Sequence, residues 1–143
     1  MHKIILAGEN SILIYFGDKI DNSLPKNIAN FANALKNQFS DVVIDLTPSY
    51  TSLLVSYDLS KASYFKFSAD VQAMLEGFEF SDSNQQSNLI HIPVYYGFET
   101  GLDLERLLAE KNISLDEFIQ LHSSNEYLVH AIGFSPVFAF LGE

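Results

Sequence analysis

The stretch His2–Phe16, HKIILAGENSILIYF, decides how the first part of the chain folds. Two apolar runs, His2–Ala7 and Ser11–Phe16, flank Gly8, Glu9 and Asn10, a trio that favours a tight turn. The stretch therefore reads as a β-hairpin. Downstream, Asp21, Asn22 and Ser23 precede Pro25, and then Ile28, Phe31, Ala32, Leu35 and Phe39 recur at helical spacing. This predicts an amphipathic helix with one face on a sheet. From Asp41 the pattern returns to strand: Val42, Val43, Ile44 and Leu46, a break at Thr47, Pro48 and Ser49, then Ser52–Tyr57. A second helix is expected to start from a Ser68 cap, with Asp70 in its first turn. Its buried stripe would be Val71, Met74, Leu75 and Phe78, and it would end near Gly77.

Two strands, helix, two strands, helix is the pattern of a ferredoxin-like α+β domain, with an antiparallel sheet and both helices on one face. That domain is assigned to residues 1–80. Residues 81–88, SDSNQQSN, are polar throughout and read as a linker. A second domain then opens at residue 89. Leu89–Tyr96 reads as a strand, placed at an edge or a bulge by Pro93, and Gly97–Gly101 as a turn. Asp103 is expected to cap a short helix carrying Leu104, Leu107 and Leu108. Ser114 with Glu117 forms a capping box for another, carrying Leu115, Phe118 and Ile119. The final runs, Tyr127–Phe134 and Val137–Leu141, are apolar and bent by Gly133 and Pro136, and strands without a visible continuation must pair elsewhere.

Composition narrows the functional classes. A chain of 143 residues with 48% hydrophobic and 18% charged residues is long enough for a sizeable core. It has no cysteine, which removes disulfides, thiolate metal sites and cysteine nucleophiles. Eight basic residues against eighteen acidic give a net charge of -10, the wrong sign for nucleic acid or an anionic membrane. The Ile4–Ala7 run is too short for a signal peptide, and no stretch approaches a membrane span, so a cytoplasmic location is expected. Arg106 is the single arginine, and the chain contains neither a G-x-x-x-x-G-K-[ST] nor a G-x-G-x-x-G motif. A standard phosphate loop for ATP is thereby excluded.

Four segments taken together are specific: SILIYFGDKI (11–20), TPSYTSLLVSYD (47–58), IPVYYGFETGLDL (92–104) and LHSSNEYLVHAIGFSPVFAFLGE (121–143). In this order they resemble the family of bacterial 5-oxoprolinase B subunits. That family is also called allophanate hydrolase subunit 1, and it includes the sporulation kinase inhibitor of bacilli. The family's tail pattern falls on His122, Tyr127, Val129, Gly133, Phe134, Pro136, Phe138, Phe140, Leu141 and Gly142. Val137 and Leu102 depart from it, replacing a glycine and a proline. The resemblance implies a ferredoxin-like N-terminal domain followed over 89–143 by the first part of a cyclophilin-like β-barrel. It also implies a non-autonomous hydrolase component acting with the C and A subunits of 5-oxoprolinase. Such a complex couples ATP hydrolysis to opening the lactam of 5-oxoproline, giving glutamate. Members of the family run about 80 residues further, so the chain reads as an engineered piece, a naturally short product or an inactive remnant.

Several residues carry candidate roles. His122 follows Leu115, Phe118 and Ile119 at helical spacing and reads either as a core-facing histidine at a helix end or as a general acid/base. Asp103 is a cap or a catalytic carboxylate. Glu99, Asp103 and Glu105 are read as a solvated face, so no metal site is expected. No serine occupies a nucleophile elbow, and His91, His122 and His130 lack an identifiable nucleophile. Tyr127, Gly133, Phe134, Pro136 and Phe138 are the candidate substrate or subunit contacts. Three other functions compete with the 5-oxoprolinase component: a ferredoxin-like module that docks on a sensor histidine kinase and inhibits it, an allophanate hydrolase-type subunit as the family's other label implies, and an inactive fragment that forms a homodimer through open strands.

Overall fold

The computed structural model describes residues 2–80, 88–133, 135 and 138–142. The element order is β1 (Lys3–Gly8), β2 (Ser11–Tyr15), α1 (Leu24–Gln38), β3 (Val43–Pro48), β4 (Ser52–Tyr57), α2 (Tyr64–Gly77), α3 (Leu104–Lys111), α4 (Leu115–Ser123), β5 (Leu128–Ile132) and β6 (Ala139–Gly142). Helices are mixed with antiparallel sheets. Two compact units result: Met1–Asn84 together with Leu128–Glu143, and Gln85–Tyr127. The C-terminal β5–β6 hairpin thus groups with the first sheet rather than with residues 89–127. Of the expected linker, only Asn88 lies among the described residues.

In the first unit the four strands lie in the order β1-β2-β4-β3, every neighbouring pair antiparallel. Because β2 and β3 both oppose β4, they run parallel to each other on either side of it, with α1 as the crossover. The strand period of two places Ile12, Ile14 and Phe16 of the first hairpin, and Leu53, Val55 and Tyr57 of β4, on one buried face. Helical spacing supplies Ile28, Phe31 and Leu35 from α1 and Phe67, Val71 and Leu75 from α2. Each such side chain contributes about 1.5–3 kcal/mol by leaving water. Tyr57 is fully buried, yet its hydroxyl has no hydrogen-bond partner among the described residues. Tyr57→Phe is therefore expected to raise stability by about 1 kcal/mol, read from the urea midpoint; a loss would show that the hydroxyl is bonded in solution.

Helix starts follow capping chemistry, with two corrections. Before α1, the Asp21 carboxylate accepts the Ser23 backbone N–H (2.8 Å) and hydroxyl (2.6 Å), and Pro25 sits in the first turn. The cap of α2 is Ser63, whose hydroxyl accepts the Lys66 N–H at 3.4 Å, and not Ser68. Phe67 explains the shift. It lies four residues before Val71 on the same buried stripe, so the helix must begin upstream of it, and Ser68 instead donates to the Phe65 carbonyl.

In the second unit Leu89–Tyr96 is not a strand: no sheet partner meets it among the described residues, and Ile90 and Ile92 are more than three-quarters exposed. An apolar extended run becomes a strand only when another backbone pairs with it. The Asp103 side chain makes no capping bond to α3; it is drawn away by the Arg106 guanidinium at 3.1 Å. The α4 capping box forms as expected. The Glu117 N–H donates to the Ser114 hydroxyl, while the Ser114 N–H (2.8 Å) and hydroxyl (2.9 Å) donate to the Glu117 carboxylate. Those two donors, the backbone one first, hold the Glu117 carboxyl below its ordinary value of 4.5. Folding thus favours the ionised form, so its support for α4 is complete above that ordinary value and is lost as pH falls through the lowered one. Amide protection factors across α4, exchange rates divided by the intrinsic rate at each pH, should fall on acidification in the native chain, and Glu117→Gln should flatten that dependence.

β5 and β6 pair with each other, antiparallel, from Leu128 opposite Gly142 to Ile132 opposite Ala139. The turn is closed by the Gly133 N–H donating to the Phe138 carbonyl at 3.0 Å. Tyr50, in the β3–β4 turn, ties the hairpin down. Its hydroxyl donates to the Leu141 carbonyl (3.2 Å), and its ring packs on His130 and Phe140. Among the described residues no helix is long and apolar enough to cross a membrane.

Candidate functional site

The second unit carries a cleft of about 570 Å³ whose walls include Tyr95, Tyr96, Leu104, Leu107 and Phe118, with Asp103 and Thr100 at its polar edge. The Gly97–Gly101 turn forms one side. The Gly101 N–H and the Thr100 hydroxyl both donate to the Gly97 carbonyl, at 2.8 and 3.0 Å. A Cβ at Gly97 would meet the Tyr95 ring at 2.5 Å and the Glu99 carboxylate at 2.7 Å, so these two exposed side chains fold over the space that the glycine leaves. Those two groups close over it: the Tyr95 hydroxyl donates to Glu99 at 2.6 Å. This bond holds the Glu99 carboxyl below the usual carboxylate range and pushes the Tyr95 phenol up.

The adjacent tyrosine takes a different partner. The Tyr96 hydroxyl and His122 Nδ1 are 2.6 Å apart, and the Tyr96 ring meets Phe118 edge-on at 6.0 Å. His122 stacks on Phe118 with the planes inclined by only 14°. His122 is therefore exposed, in the last turn of α4, and the expectation of a core-facing histidine is corrected. The packing of α4 is carried by Phe118 and its ring neighbours, which leaves the helix end in water.

Of the residues singled out from the sequence, Asp103 lines this cleft and His122 is bonded to one wall residue and stacked on another. Asp103 is not a bare carboxylate, because it shares Arg106 with Glu110 (2.9 Å) along the exposed face of α3. Tyr127 is exposed and is not among the cleft-lining residues. Gly133 belongs to the first unit, where with Phe140, Tyr50, Ser52 and Leu54 it lines a recess between the sheet and the terminal hairpin. Phe138 packs on Phe140 at 5.0 Å in the same hairpin. Phe134 and Pro136, like Val137, lie outside the described residues. Sequence reasoning missed Tyr96. The only signal was its place beside Gly97 in IPVYYGFETGLDL, since a partner 26 positions away leaves no periodic trace. Among the described residues no group of three or more histidine and carboxylate side chains gathers as a metal ion would need.

The 5-oxoprolinase B subunit of Bacillus subtilis (strain 168) is 29% identical over 151 aligned residues, covering 99% of this chain and 62% of its own length. The Escherichia coli O157:H7 protein of the same name is 28% identical over 138 residues, covering 96% of this chain and 61% of its own. The chain thus spans about three-fifths of the length of these curated relatives. The crystal structure of TTHA0988 superposes with a TM-score of 0.73 at 26% identity, over 93% of this chain and 25% of that one. The family profile described as "Carboxyltransferase domain, subdomain C and D" matches residues 2–143, and the chain belongs to that family, together with the 5-oxoprolinase B subunits it resembles.

Proposed function

We propose that the chain is a component, or part of one, of an ATP-dependent 5-oxoprolinase, in which 5-oxoproline, ATP and water yield glutamate, ADP and phosphate. The observation that carries this is the similarity to a 5-oxoprolinase B subunit along 99% of the chain. The chemistry of the cleft supports a composite site. The cleft has hydrogen-bonding and aromatic groups, but the Arg106 guanidinium beside it is engaged by Asp103 and Glu110. A nucleotide triphosphate needs several donors or cations around its phosphates, and partner proteins, the C and A subunits by resemblance, would supply them. The strand order β1-β2-β4-β3 supports a ferredoxin-like first unit, because a βαββαβ sheet gives this order when its last strand is moved to the front. The apolar run Leu89–Tyr96, which has no sheet partner among the described residues, suits a barrel strand paired by another backbone, as the cyclophilin-like reading requires.

Reconstitution tests the proposal. Mixing the chain with the C and A subunits, 5-oxoproline and ATP should release glutamate at a rate that falls to background when this chain is omitted. Turnover that is unchanged by the omission would overturn the reading.

A further inference from the structure

We propose that the chain pairs with a second copy of itself along the outer edge of β1, antiparallel and about a twofold axis normal to the sheet, so that two four-stranded sheets become one. The pairing is independent of the catalytic reading. Leu6 stands opposite Ile12 and Ile4 opposite Ile14, which places both β1 residues on the helix-covered face of the sheet. Ile12 and Ile14 are fully buried there, yet Leu6 is 56% exposed. The apolar face thus runs out past the cover that the helices provide. Among the described residues no strand meets the outer side of β1, so its backbone groups on that side have no ladder partner there.

The charges on the two edges of the sheet select the occupant. The other edge, β3, carries Asp45 with Asp41 just before it, ends in Pro48 and is bulged between Val43 and Asp45. Proline, a bulge and like charges protect an edge against a copy of itself. β1 has no proline, and the charged side chains between His2 and Gly17 are Lys3 and Glu9, one of each sign. In an antiparallel self-pair the start of one strand lies beside the end of the other, so Lys3 approaches the partner's Glu9, and by symmetry this happens twice. For a chain of net charge -10, this balanced edge is where a second copy is repelled least.

The register follows from the regular part of the strand. The bulge between Leu6 and Gly8 leaves Lys3–Leu6 as that part. Pairing centred on Ile5 sets it against the partner's Ile5 on the open face, and sets Leu6 against the partner's Ile4 on the helix face. Ile4 and Leu6 of both copies then close the seam where Leu6 stands in water, and the core continues across the axis. A contact this short lies at the low end of specific interfaces, which makes the dimer a weak, reversible one.

Sedimentation equilibrium of the whole chain, from low micromolar to millimolar concentration, should show a monomer–dimer equilibrium, with amide protection in β1 rising with the dimer fraction. Leu6→Lys should weaken association at least tenfold, with protection in β2 and β4 retained as the sign that the variant folds. Lys3→Glu and Glu9→Lys, both at exposed positions, should each weaken it about three- to tenfold, and the two together should restore it. Ile92→Lys, in the apolar run of the second unit, should leave the equilibrium unchanged. A chain that stays monomeric at millimolar concentration, a dimer indifferent to Leu6→Lys, or one abolished by Ile92→Lys would overturn the proposal. A double charge swap no tighter than the single ones would overturn the antiparallel register.

Discussion

Phe31→Ala is expected to lower the stability of the first unit by about 3–5 kcal/mol. Phe31 is fully buried on α1, and its ring contacts Phe16 at 5.5 Å, Phe78 at 5.1 Å and Phe80 at 6.5 Å. Removing it takes away the transfer free energy of a whole ring and leaves a void that the rigid sheet on one side prevents from collapsing. Its three aromatic pairs would lose their shared centre, each worth about 0.5–1.5 kcal/mol beyond its area. The measurement is urea unfolding monitored by circular dichroism, with the slope checked for constancy. Phe65→Ala is the control. Phe65 is 82% exposed on α2, so its replacement should change stability by less than about 0.5 kcal/mol. If the two variants unfold at the same midpoint, the aromatic cluster is not what holds the unit together.

Gly142→Ala is expected to lift the terminal hairpin from the first unit. A Cβ at Gly142 would fall on the His130 imidazole, 2.6 Å from its Cδ2, although nothing about the backbone φ there demands glycine. His130 has nowhere to go. It is only 4% exposed, it packs against Tyr50, and neither ring nitrogen has a hydrogen-bond partner among the described residues. Overpacking of this kind costs about 1–3 kcal/mol, enough to break the docking of a two-stranded ribbon that is marginal by itself. The check is a double-mutant cycle. His130→Ala should relieve Gly142→Ala, with a coupling of about 0.5–3 kcal/mol, read from amide exchange in β5 and β6. Additive effects would show that the glycine is retained for some reason other than the imidazole.

Much of the first unit could be read from the sequence because periodicity expresses which face is buried. Ile12 and Ile14 alternate, and Ile28, Phe31 and Leu35 step by helical intervals, so hairpin, helix and core residues followed directly. The start of α2 did not follow, since Ser63 and Ser68 are equally good caps in isolation and only the burial of Phe67 decides between them. Leu89–Tyr96 was misread for a related reason: β propensity describes a side chain's fit to a sheet, and it is silent on whether a neighbour exists. At the candidate site Asp103 and His122 were visible by residue type, while Arg106 claiming the one and Tyr96 holding the other depend on contacts that no spacing rule encodes. The grouping of Leu128–Glu143 with the first sheet was hidden in the same way, because a hairpin does not record what it packs against.

The bond from the Tyr50 hydroxyl to the Leu141 carbonyl joins positions 91 apart in sequence. A body whose closing piece is made only after residues 85–127 cannot finish folding while its first strands leave the ribosome. That intervening stretch therefore emerges as an excursion between two parts of one compact unit, and the late capture of the ribbon imposes a long loop closure on the sheet. Until residue 142 has cleared the exit tunnel, the sheet face around Leu54 stands open to whatever apolar segment reaches it first.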